Sequence, residues 1–358
     1  MSSNSKKHRL FIDILFVILI LFLLFIFIIK TDIFSNIKNN IVNISIQNTS
    51  SNYILNSSLN NLVIPANKVN ITQLDNYTLG LINKDREKYG LNPVSISNIP
   101  SAQQHAESML NYSYFSHWDL FGLKPYMRYT LLGGNQSVQE NIAYEKSSVC
   151  EGSVCKGDIN VTKAIENMEY QMMYNDSKCC NNGHRDNILN PFHNMVSIGI
   201  AYDASTVYFV EDFVNQYINW SQGSPSYSNT GEVYLYGISS VGTAVKQVYI
   251  TYDPIPSNYT KSTVPDTPYS FGNEIAGVVP QSNYYFTNIT TIVADHFYTK
   301  NNIFQINFNI KNLTKRYGAG VYTIMLELEN TTTNKTFLGT DYSIFINKNL
   351  SQYIPENV

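Results

Sequence analysis

A nearly unbroken apolar run, LFIDILFVILILFLLFIFII at residues 10–29, dominates the pattern of hydrophobic and polar positions, with Asp13 its one charge. At about 1.5 Å per residue it would make about 30 Å of helix, the thickness of a bilayer core. Lys6, Lys7 and Arg9 precede it, and Lys30, Thr31 and Asp32 follow. The basic flank favours the cytoplasmic side, and the polar exit is unlike the small-residue site of a cleaved leader. The pattern predicts a cytoplasmic tail (1–9), a single transmembrane signal anchor (10–29) and an extracytoplasmic remainder. Residues 30–75, rich in Asn, Ser, Ile and Thr without sustained periodicity, read as a stalk.

Helical periodicity then takes over. LGLINKDREKYG carries Leu79, Ile82 and Tyr89, with Gly90 as a stop. SAQQHAESMLNY places Ala102, Ala106, Met109 and Leu110 on one stripe, with Ser101 as the expected cap. VTKAIENMEYQMMYND has Ile165, Met168, Met172 and Met173 on one face, a core-filling stripe rather than a cofactor box. GHRDNILN is a short fourth helix ended by Pro191; Asn181 or Asn182 is its expected cap, and Gly183 its sharp turn. MVSIGIAYD and TVYFVEDFV are two strands turning around Asp203. Helices first and a hairpin last predict an α+β layer domain at 76–218. SQGSPSYSNTG reads as a linker, 219–230. From 231 to 350, aromatic and β-branched alternation between Asn/Gly turns predicts an all-β, immunoglobulin-like sandwich serving as an interaction or spacer module.

Composition narrows the function classes. A net charge of -3 gives no electrostatic case for nucleic acid as a partner. About one residue in eight is Asn, and 16 Asn-x-Ser/Thr triplets suit a surface glycoprotein, although so Asn-rich a chain makes some by accident. The four cysteines favour disulfides in an extracytoplasmic chain. Cys150 and Cys155 bracket a Gly/Ser loop, and Cys179 and Cys180 are adjacent. A vicinal bridge is strained, so two cross-links joining the loops are expected, with the pairing open.

Four polar residues could carry chemistry: His117 in YFSHWD, Glu140 in QENIAY, Asp176 beyond the third helix and His184 at the start of the fourth. Two imidazoles and two carboxylates can hold Zn²⁺ or another divalent cation, with the acids as further ligands or as base for a bound water. Taken singly, each has an ordinary structural reading. His105 reads as core packing, Arg185 and Asn187 as ties from the fourth helix to nearby loops, and His193 shows no partner. No Gly-x-Ser-x-Gly or His-Glu-x-x-His motif occurs.

YFSH, ENIAY, GHRDNIL, VSIGIAY and YFVEDF, in this order, strongly resemble the CAP superfamily (SCP/PR-1-like, the cysteine-rich secretory family) in its prokaryotic form. The Asn, Ile and Tyr richness gives the composition an archaeal cast. The resemblance covers roughly residues 76–216. It implies an α-β-α sandwich whose cleft holds two histidines and two acids, the histidines able to coordinate zinc or another divalent ion. His117 matches the first histidine, Glu140 the first acid and His184 the second histidine. The family's helix often carries a Trp followed three residues later by Glu or Ser, and no Trp stands there in this chain. Met173 in that place gives Asp176, the preferred second acid; Met172 gives Asn175, and Glu169 lies two turns earlier. The expected protein is a membrane-anchored, extracytoplasmic CAP-domain protein binding a metal or a surface ligand, glycan or envelope protein. A metal- or Glu140-assisted envelope hydrolase and a structural protein acting through its β-sandwich are the alternatives, because this fold serves many roles.

Overall fold

Leu74, Thr78, Ile82 and Arg86 recur every four residues and form the buried side of α1 (Ile71–Lys88). The computed structural model describes residues 71–281 and 285–346. The expected tail, membrane span and nearly all of the stalk lie outside them. Among the described residues no helix is long and apolar enough to cross a membrane. The helix begins within the last residues assigned to the stalk, and its buried stripe differs from the expected one: Tyr89 is exposed, while Thr78 and Arg86 face inward. Arg86 is fully buried without a carboxylate. Its guanidinium donates to the carbonyls of Asn92, Ile188, Asn190 and His193, tying together two loops about a hundred residues apart in sequence.

Next come β1 (Ser95–Ile96), α2 (Ser101–Tyr112), α3 (Pro125–Leu131), β2 (Ser137–Lys146) and the hairpin β3 (Ser148–Glu151) and β4 (Val154–Gly157). They are followed by α4 (Val161–Tyr174), the single turn α5 (Ser177–Cys180), α6 (Gly183–Ile188), β5 (Met195–Tyr202) and β6 (Thr206–Asn215). The sheet runs β1-β5-β6-β2, with β1 parallel to β5 and the other pairs antiparallel. Alternation along the strands sends Val196, Ile198, Ile200 and Phe209 toward α1 and α4. Ala201, Tyr208 and Val210 face Ala102, Ala106 and Met109 of α2. Helices thus cover both faces. Gly199 is required where α2 crosses, since a Cβ there would lie 2.1 Å from the Ala102 carbonyl oxygen. Ser101 is not the cap of α2: Pro100 holds that position, and the buried Ser101 hydroxyl donates to Asp212.

The remaining strands are β7 (Ile218–Trp220), β8 (Ser226–Tyr227), β9 (Glu232–Ser239), β10 (Thr243–Pro254), β11 (Asn273–Val279), β12 (Thr290–Val293), β13 (His296–Lys300) and β14 (Ile303–Asn309). Helix α7 (Lys311–Tyr317) precedes β15 (Gly320–Asn330) and β16 (Thr336–Ile346). Sheets β12-β11-β10-β15-β16 and β13-β14-β9-β7 enclose a core that includes Leu235, Ile250, Phe304, Phe308 and Ile324. The stretch 219–230 is partly built into this sandwich, because β7 and β8 both pair with β9.

The sandwich also packs on the mixed domain. Val321 of β15 joins Tyr126, Met127, Val138 and Val214 in one buried cluster. Asp341 of β16 accepts the Val138 N–H at 2.9 Å and the Ser137 hydroxyl at 3.0 Å. Asp253 accepts from Lys124 and from the Tyr126 hydroxyl, both at 2.7 Å. Between β10 and β11, residues 255–272 form an irregular strap across the loop that follows α2. The Tyr259 N–H donates to the Leu120 carbonyl at 2.7 Å, and Val264 packs against the α2 cluster. Gly122, at φ +81°, leaves room for the strap backbone, since a Cβ would meet Ser257 O at 2.5 Å.

Candidate functional site

His117 sits in the loop after α2, which buried groups hold in place. Burial holds the His105 imidazole at about 3, so the ring is neutral and its Nε2–H donates to the Ser116 carbonyl at 2.8 Å. Arg128 of α3, itself buried, donates to the carbonyls of His117 at 2.7 Å and Leu123 at 2.8 Å. The same guanidinium meets Glu140 Oε2 at 2.5 Å, and Glu140 Oε1 lies 2.8 Å from His117 Nδ1. Glu140 is buried on edge strand β2. Burial pushes its carboxyl up, but the Arg128 charge and the His117 hydrogen bond outweigh this and hold it at about 2. An ionised carboxylate can only accept, so His117 Nδ1 carries a proton, and in the neutral ring it is Nε2 that offers a lone pair.

The second histidine is built the same way. α4 ends at Tyr174, the chain makes the turn of α5, and left-handed Asn181 (φ +51°) and Asn182 (φ +65°) reverse it into α6. Neither asparagine caps α6 with its side chain, and the left-handed turn belongs to them rather than to Gly183. The cap comes from Asp176, whose Oδ2 accepts the N–H groups of His184 at 2.9 Å and Arg185 at 3.2 Å. Asp176 Oδ1 lies 2.7 Å from His184 Nδ1. All four residues line one cleft of about 980 Å³. Both oxygens of each acid are engaged, and through these contacts the carboxylates hold the rings in place. Glu169, the other candidate acid, is not among the cleft-lining residues; it is buried beside Glu211, which with desolvation keeps its carboxyl well above the usual range. Asn175 is exposed at the end of α4.

Other expectations change. Cys150 and Cys155 stand opposite each other in the β3–β4 hairpin and are disulfide-bonded. This leaves Cys179 to Cys180, so the bridges are local and do not join the two loops. His193 has partners: its ring nitrogens lie 2.7 Å from Asn215 Oδ1 and Asn187 Oδ1. Asn187 in turn donates to Asn141, whose side chain reaches the His184 carbonyl at 3.2 Å.

Sequence reasoning missed the far wall of the cleft, formed by strap residues 266–271. The Tyr269 ring lies 5.1 Å from the His117 ring, and its hydroxyl accepts the Glu140 backbone N–H at 3.0 Å. Phe115 and Tyr144, tilted against each other with ring centroids 4.7 Å apart, line the same cleft, which is therefore an aromatic slot with two imidazoles.

The sequence matches no protein-family model and no curated protein. Solved structures of CAP/SCP-domain proteins are among its structural neighbours. An extracellular protein from Bacillus anthracis containing an SCP domain is 18% identical with a TM-score of 0.30, covering 42% of this chain and 45% of its own. An outer surface protein of Borrelia burgdorferi is 16% identical with a TM-score of 0.31, covering 42% of this chain and 97% of its own. The CAP domain of enterococcal PrgA is 16% identical with a TM-score of 0.25, covering 38% of this chain and 58% of its own. The chain thus spans about half the length of two of these three. The mixed helix and strand architecture agrees with an α+β fold.

Proposed function

We propose that this is a membrane-anchored, extracytoplasmic protein whose cleft binds a divalent cation, Zn²⁺ foremost, through Nε2 of His117 and His184. One observation carries the reading: each imidazole has its Nδ1 on a buried carboxylate, Glu140 or Asp176, and both rings line the same cleft. Carboxylate–histidine pairs of this kind fix the tautomer and raise the basicity of a metal-binding nitrogen. Such a cation would supply Lewis acidity or a docking point for an anionic group of a surface ligand. The aromatic walls suit the apolar or sugar face of such a ligand. Glu140 supports binding better than hydrolysis, because a carboxylate held at about 2 and paired with Arg128 is a poor general base.

The basic cluster and apolar run at 1–29 support the anchor. Alkaline carbonate washing of membranes should leave the chain in the pellet; release into the wash would refute anchoring. Elemental analysis of the full-length chain, purified in detergent without chelator, tests the site. Zinc near one equivalent that is lost in the His117→Ala/His184→Ala variant supports the reading, and equal metal content in both overturns it.

A further inference from the structure

Cys179 and Cys180 have no role in the reading above, yet they lie beside one of its histidines. One donor atom from each of Asp176, Cys179, Cys180 and His184 lies within 4.8 Å of every other. Cys179 Sγ is 3.6 Å from Asp176 Oδ1. Around tetrahedral zinc, with Zn–S near 2.3 Å and Zn–N near 2.0–2.1 Å, ligand atoms stand about 3.6 Å apart. Closing the four atoms onto one ion therefore requires side-chain adjustment and no refolding. The left-handed pair Asn181–Asn182 creates the cluster, since it returns the chain after α5 and sets His184 against Asp176.

The two sulfurs are bonded to each other, and in that state neither is a thiolate. With Cys150 and Cys155 joined across their hairpin, no other cysteine in the chain is left to pair with them. Adjacent residues hold their Cα atoms 3.8 Å apart, below the usual 4.4–6.8 Å of a disulfide. Cys179 is also exposed, within reach of an attacking thiol. Strained, accessible disulfides are the labile ones.

We infer that Asp176, Cys179, Cys180 and His184 form a redox-gated site for a thiophilic divalent cation such as Zn²⁺, closed by the vicinal disulfide and opened by a dithiol reductant. The dithiol gives up two electrons and two protons and becomes a disulfide. The Cys179–Cys180 S–S bond breaks, and each sulfur becomes a thiol. Cation binding then releases both thiol protons to solvent as the thiolates coordinate. Two thiolates and an imidazole select zinc over calcium or magnesium. The inference rests on the reading above only in sharing His184. It adds a second state in which that histidine works with sulfur instead of with His117.

The test uses the full-length chain in detergent with Cys150→Ser and Cys155→Ser as background, so that the vicinal pair is the only reducible bond. After reduction with a phosphine, Co²⁺ is added as probe and thiolate-to-metal charge-transfer absorption is recorded. The band is expected in the reduced chain, absent from the oxidised chain, lost in C179S/C180S and retained in H117A. Absence of the band after reduction, or its survival in C179S/C180S, overturns the proposal. If C179S/C180S fails to fold, alkylation of the reduced background chain replaces it. Zn²⁺ should protect both thiols, and equal labelling with and without Zn²⁺ overturns the site. A thiolate band in a chain that binds no Zn²⁺ when oxidised upholds this site while refuting the His117–His184 reading. Zn²⁺ binding by the oxidised chain without a band on reduction refutes this site alone.

Discussion

The Tyr269 hydroxyl accepts the backbone N–H of Glu140 at 3.0 Å. This contact joins the β-sandwich strap to the edge strand that carries the cleft's first acid. The strap therefore forms part of the wall of the candidate cleft. Replacing Tyr269 with Phe leaves that N–H without its partner at a buried position, which costs about 1–3 kcal/mol. A lower thermal midpoint, with faster amide exchange at Glu140, is expected. An unchanged midpoint would mean that the hydroxyl does not support the strand.

Arg128 is the cation on which Glu140 depends. In Arg128→Leu the carboxylate stays buried and loses its partner, a change of about 3–5 kcal/mol in comparable buried pairs. Denaturant unfolding should show that loss, and the Glu140 pKa should climb from about 2. A near-neutral change in stability would contradict the arrangement.

Asp176→Asn weakens the hold on His184 Nδ1 and the cap on α6. Loss of such a supporting group lowers metal affinity by about 10–100-fold. Titration of the variant with Zn²⁺ should show this drop, and wild-type affinity would assign Asp176 to capping alone.

Stability should fall as pH rises from 6.5 to 8. Burial pushes Asp212 up to about 8 and Asp341 to about 7, so each gives up its proton in the fold only at a much higher pH than in the unfolded chain, which ionises them near 3.8. A carboxyl with a raised folded pKa loses stability as pH climbs from its unfolded to its folded value. His105 and His193, both held at about 3 by burial, act in the opposite sense, but only below their ordinary value of 6.5. Glu140, depressed to about 2, acts lower still: its contribution is lost as pH falls from about 4.5 toward 2. Thermal midpoints across pH 6.5–8 should decline, less steeply in Asp212→Asn. A flat or rising profile would contradict these raised values.

The sequence made the β5–β6 hairpin legible because MVSIGIAYD and TVYFVEDFV are two apolar, β-branched and aromatic runs flanking the Asp203 turn, where one carboxylate oxygen accepts the N–H groups of Ser205 and Thr206. His117, Glu140 and His184 were legible through the order of their motifs. Asp176 was harder to place, since its role depends on a left-handed turn that two asparagines create. Arg86 hid its burial because its partners are backbone carbonyls, which leave no sequence signature. Tyr269 stands 129 residues from Glu140, in a stretch without periodicity. The vicinal disulfide followed from elimination once the β3–β4 register had paired Cys150 with Cys155, and that register is a tertiary fact.

Calorimetric titration of Zn²⁺ into the oxidised full-length chain tests the central claim most directly. One equivalent should bind the wild type, and His117→Ala and His184→Ala should each abolish that binding while keeping the circular dichroism spectrum of the folded parent. Unchanged affinity in both variants would contradict a metal held by the two carboxylate-supported histidines.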